Sequence, residues 1–86
     1  MNVEIDLPDE VVGIAEALLD HAREIATKRL KEEYLYDKDV QNENLYTNYY
    51  GWSKYTHSFQ FSRQYRHTEV SLKDALRSYI GLDDSK

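Results

Sequence analysis

The feature that most restricts the fold is a long stripe of apolar residues in the first third of the chain. Val11, Ala15, Leu18, Ala22 and Ile25 recur at spacings of four and three. A flanking row of Val12, Leu19, Ala26 and Leu30 widens the stripe. That period belongs to an α-helix, and a stripe this broad has to be covered by another layer. Pro8 suits the first helical position, where its missing N–H costs nothing. Asp9 and Glu10 complement the positive end of the helix dipole. The spacing therefore predicts one helix over 8–33, weakened slightly by Gly13.

The stripe is wide enough to bury against a sheet or against a symmetry mate, and the rest of the 86 residues reads as follows. Val3, Ile5 and Leu7 alternate with polar residues, which predicts a short N-terminal strand. Residues 34–44 are rich in Asp and Asn and read as a connector. Leu45 to Tyr50 reads as a strand, and Gly51-Trp52-Ser53-Lys54 as a turn. Tyr55, His57, Phe59, Phe61, Arg63 and Tyr65 then alternate with Thr56, Ser58, Gln60, Ser62, Gln64 and Arg66. A period of two over eleven residues predicts the second strand of a hairpin spanning 45–66. Thr68 or Ser71 is placed to cap a final helix, and Ser71 with Asp74 has the capping-box spacing. Leu72, Ala75, Leu76, Tyr79 and Ile80 form its apolar face, and Gly81 is placed to end it. The expected fold is α+β: short strand, long amphipathic helix, antiparallel hairpin, short helix. It forms one small domain over 1–82, with 83–86 as a polar tail.

A chain this short buries only about 60% of its unfolded surface, so its core is thin. It has no cysteine with which to staple that core or bind zinc through thiolates. The first residues lack the positive start and apolar run of a secretory leader, and no apolar stretch approaches the length of a membrane span. The expectation is a cytoplasmic protein, with a homodimer as one further source of stability.

Charge is unevenly distributed. Residues 1–44 carry twelve acids and five bases, whereas 45–68 carry three bases and no acid. Eight of the eleven aromatics also fall in 45–68. Chemistry finds little support. His21 and Glu24 share a helix face, but nothing completes a metal-ligand set. His57 and His67 have no carboxylate within their segment. No glycine-flanked serine and no glycine-rich phosphate loop exists. The expectation is a protein with no catalytic, metal or cofactor site.

The aromatic segment stands out instead. Tyr46, Tyr49, Tyr50, Trp52, Lys54, Tyr55, Arg63, Tyr65 and Arg66 interleave aromatics with cations, and tyrosine, tryptophan and arginine are the residues enriched at binding hot spots. Part of this set belongs to the core, because neighbours on a strand point to opposite faces and Tyr49 and Tyr50 cannot both be buried. The remainder predicts a binding surface for another protein. An acidic body favours a basic partner, such as a nucleic-acid enzyme. The alternatives are nucleic-acid binding through the basic aromatic hairpin, and a structural assembly role.

The two ends of the chain also resemble ribbon-helix-helix regulators and antitoxins. Residues 2–12 resemble that family's dimerising strand running into its first helix, and residues 70–80 its second helix. The resemblance implies dimerisation through the N-terminal strand. Two departures set this chain apart. Some 35 residues separate the two helices, and the outward strand positions would be Asn2, Glu4 and Asp6. Those carboxylates oppose contact with phosphates.

Overall fold

The computed structural model describes residues 7 and 9–81. The N-terminal strand and the tail at 83–86 lie outside the described residues, except Leu7, which has no regular secondary structure and packs against the core.

The element order is α1 (Asp9–Val12), α2 (Ala15–Glu33), β1 (Asn48–Ser53), β2 (Ser58–Arg63), β3 (Arg66–Ser71) and α3 (Leu72–Ile80). The class is α+β, with a three-stranded antiparallel sheet in the order β1-β2-β3. The single helix expected over 8–33 is two. The chain turns at Gly13 and Ile14, where the Ile14 N–H bonds Val11 O at 3.1 Å and Ile14 O accepts from Leu18 N at 2.9 Å. Glycine gives up more backbone freedom in a helix than other residues, so the break falls there.

Along α2 the fully buried row is Leu18, Ala22, Ala26 and Leu30, one residue per turn. The two alanines in the middle leave room for Phe59 and Phe61 of β2, which share their buried cluster with Val70 and Ala75. Below the helix end, Val40 is fully buried. Lys31 Nζ donates to Val40 O at 2.9 Å and Asn42 O at 2.7 Å. Gln41 Nε2 donates to Lys31 O and Tyr34 O, both at 2.9 Å. The 34–44 connector is thus bound back onto the helix, satisfying carbonyls that a helix end leaves open.

The sheet differs from the expected hairpin in two places. Gly51, Trp52 and Ser53 belong to β1 rather than to a turn, and the turn is Lys54–His57. The long alternating run also stops at Arg63. Gln64 and Tyr65 form a tight turn, and the chain returns as β3 with Arg63 opposite Arg66. His57 (φ 53°) and Gln64 (φ 58°) take left-handed backbone at the two ends of β2. Glycine and asparagine are the usual residues there, so the turns carry no sequence signature.

β1 contains a bulge. Tyr49 is opposite Phe61 and Trp52 opposite Phe59, while Gly51 is opposite Gln60, so Tyr50 is the extra residue. Tyr49 and Trp52 therefore share the inner face despite an odd spacing. The Trp52 and Phe59 ring centres lie 5.0 Å apart, and Tyr49 sits 5.5 Å from Phe61, all in tilted or edge contact.

The C-terminal helix forms as expected. Ser71 is its cap, accepting from Asp74 N at 3.1 Å, and Gly81 closes it with φ 83°. Thr68 instead lies within β3. Arg29 ties α2 to this corner, donating to Asp74 Oδ2 and Glu69 O at 2.8 Å each.

Candidate protein-binding surface

The nine residues expected to bind a partner do not form one patch. Tyr49 and Trp52 are half-buried against the core, and the Tyr49 hydroxyl and Trp52 Nε1 are buried without a hydrogen-bond partner. Burial pushes the Tyr49 phenol above its ordinary pKa. Tyr50, the bulged residue, faces outward, with its hydroxyl 3.3 Å from His67 Nδ1. Lys54 and Tyr55 lie in the β1–β2 turn, and Tyr65 in the β2–β3 turn. In an antiparallel meander these turns occupy opposite ends of the sheet, about 20 Å apart for six-residue strands. Tyr46 precedes β1 and carries Arg23 over its ring, with Cζ 5.1 Å from the centre.

Arg63 and Arg66 meet partners that their own segment lacks. Arg63 Nε and Nη2 donate to Asp39 Oδ2 and Oδ1 at 2.9 and 2.8 Å, a fork-on-fork pair. Arg66 pairs with Asp37, and its Nη1 lies 3.9 Å from Asp39 Oδ2. Asp37 also organises its own loop, because its Oδ1 accepts from Asp39 N at 3.0 Å and Val40 N at 3.3 Å. The acid-free strip of the sequence is therefore neutralised at one end by carboxylates from the connector.

That cluster brings together two segments far apart in the chain. Asp37 follows Tyr36, and Arg66 follows Tyr65. The residues before the two partners, Tyr36 at 98% and Tyr65 at 88%, are almost fully exposed, and Leu35 is exposed as well. Tyr36 and Leu35 were not expected as site residues. The 34–44 segment has the composition of a turn, and its aromatics are distant in sequence from the hairpin.

Hydrogen bonding to Arg63 holds the Asp39 carboxyl below the usual carboxylate value. Hydrogen bonds from Gln60 and Ser58 do the same for Glu69, with Gln60 Nε2 and Ser58 Oγ each 3.0 Å from Glu69 Oε1. Both groups bind protons more readily in the unfolded chain. Their contribution to stability is complete above about pH 4.3, the unfolded carboxylate range, and is lost as pH falls through the lower folded values. Urea midpoints measured from pH 7 to pH 2 should decline accordingly. Asp39→Asn should start lower at pH 7 and converge with the parent in acid. A constant gap between the two at every pH would show that the Arg63 pair contributes nothing through ionisation.

His21 does not pair with Glu24. Its Nδ1 lies 3.0 Å from Ser78 Oγ, and its ring meets Tyr79 edge-on at 5.7 Å, joining α2 to α3. Among the described residues no group of three or more His, Cys, Asp or Glu is placed to hold a metal ion. No described helix is long and apolar enough to cross a membrane. Compared with protein-family models, with curated proteins and with solved structures, the chain matches none.

Proposed function

We propose that this protein is a non-enzymatic regulator or inhibitor that acts by binding another protein, in the manner of an antitoxin, an immunity protein or a phage inhibitor. The observation that carries this reading is the pair of exposed tyrosines, Tyr36 and Tyr65, flanking the Asp37–Arg66 ion pair. Tyrosine offers a large contact area with few torsions to freeze, and an anchored base reduces the entropy lost on binding. The exposed acids of α2 add attraction toward a basic target. Nucleic acid is the weaker alternative, since Arg63 and Arg66 each already hold a carboxylate that would have to be displaced by phosphate. Tyr49 and Trp52, being packed on the core, belong to stability rather than to recognition.

The test is to place a photo-crosslinking phenylalanine at Tyr65 in the native host and identify what it captures. Once that protein is identified, Tyr36→Ala combined with Tyr65→Ala should weaken the purified chain's affinity for it, measured by titration calorimetry, at least about tenfold, since two hot-spot tyrosines each contribute more than about 1 kcal/mol. Melting curves should be unchanged, because both side chains are exposed. Undiminished affinity of the folded double variant would rule this surface out.

A further inference from the structure

A second surface lies along the flank of α2. Two adjoining hollows, of about 490 and 400 Å³, share Asp20 and Arg23 between them. Leu19 and Leu45 supply their apolar parts, and Glu16 and Glu24 stand at their two ends. Glu16, Asp20 and Glu24 follow one another at four-residue spacing, so they form a single row on one face of the helix.

That row disfavours the isolated helix, because like charges one turn apart repel. Arg23 answers it only in part. Its Nε is committed to Thr47 O at 3.0 Å, and its guanidinium lies over the Tyr46 and Phe61 rings at 5.1 and 6.0 Å. Its remaining contact with the row is a long one, 3.4 Å to Asp20 Oδ1. The hollows thus combine two half-buried leucines, a cation committed to Thr47 and two rings, and three exposed carboxylates.

The spacing of the rim selects the occupant. Carboxylates four residues apart on a helix are about 6 Å apart along its axis. Alternate residues of an extended chain are about 6.6 Å apart. We infer that this hollow binds an extended basic segment of a partner protein, with a lysine or arginine at every second position. The aliphatic stems of such residues lie on Leu19 and Leu45 while their charged ends reach Glu16, Asp20 and Glu24. This inference rests on the protein-binding reading above but uses a different surface.

The probe is a blocked Arg-Thr-Arg-Thr-Arg peptide, titrated into the isotope-labelled full chain and followed by amide chemical shifts. Shifts are expected at residues 16–27 and 45–47. An Arg-Arg-Arg-Thr-Thr peptide of equal charge should bind more weakly. The folded double variant Asp20→Asn, Glu24→Gln should weaken binding about tenfold, the size expected for two exposed ion pairs. Tyr36→Ala with Tyr65→Ala should leave the titration unchanged, which separates this surface from the tyrosine one. Shifts confined to other residues, equal binding of the two peptides, or unaltered affinity in the acid-removed variant would each overturn the inference. So would tighter binding of single-stranded DNA than of the peptide at the same site.

Discussion

Phe59→Ala is expected to remove about 3–5 kcal/mol of stability, the usual cost of truncating a buried phenylalanine. Phe59 has no exposed surface, and its ring is the point where the sheet meets the alanine row of α2. Its neighbours are themselves aromatic. Trp52 lies 5.0 Å away and Tyr49 6.1 Å away, both in edge contact, so its loss leaves two rings without their common partner. A chain of 86 residues typically has about 4–13 kcal/mol to lose. The variant should therefore lose a large share of its stability, with its urea midpoint shifted well down and the near-ultraviolet dichroism of Trp52 weakened. Phe59→Leu, which keeps most of the volume, should cost less than half as much. If urea denaturation gives equal losses for the two, the ring is not packed as described.

Gly51→Ala should cost about 1–3 kcal/mol, the range for forcing a side chain into disfavoured backbone. Gly51 has φ 152°, a value that residues with a Cβ rarely adopt, and it is buried within β1. The consequence extends past local strain. The bulge at Tyr49 and Gly51 is what lets Tyr49 and Trp52 occupy the same face. A chain that relaxes the strain by straightening β1 would shift its register by one residue, and a shift of one turns Trp52 away from Phe59 toward solvent. The fluorescence of Trp52 should accordingly move to longer wavelength in step with the loss of stability. Asn48→Ala, an exposed change in the same strand, should stay within about 0.5 kcal/mol of the parent. A Gly51→Ala variant as stable as the parent would show that the bulge does not depend on glycine.

Legibility from the sequence varied along the chain. The end of α2 at Glu33 and the end of α3 at Gly81 could be read, and the start of α3 was narrowed to Thr68 or Ser71, because a cap hydroxyl, a left-handed glycine and a helical apolar period are local signals. The turn at Gln64-Tyr65 could not, since neither residue belongs to the usual turn vocabulary. With that turn unread, β3 was merged into its surroundings and the three-stranded sheet looked like a hairpin. β1 was misplaced because its bulge breaks the alternation by which strands are recognised. The ribbon-helix-helix resemblance has no part in the proposed function, since its strand lies outside the described residues.

By itself the sequence determined that a helix with a broad apolar stripe packs on antiparallel strands in an α+β fold, and that aromatics are concentrated in 45–68. Only the tertiary structure decided which aromatics are available. Tyr49 and Trp52 turn inward, Tyr55 and Tyr65 separate to opposite ends, and the Asp37–Arg66 pair ties the residue after exposed Tyr36 to the residue after exposed Tyr65. It also neutralised one end of the basic strip, by joining Arg63 and Arg66 to Asp39 and Asp37. The physical reason is range. A helical or strand period is written into neighbouring residues, whereas an ion pair between positions 24 or 29 residues apart exists only after the chain has closed on itself.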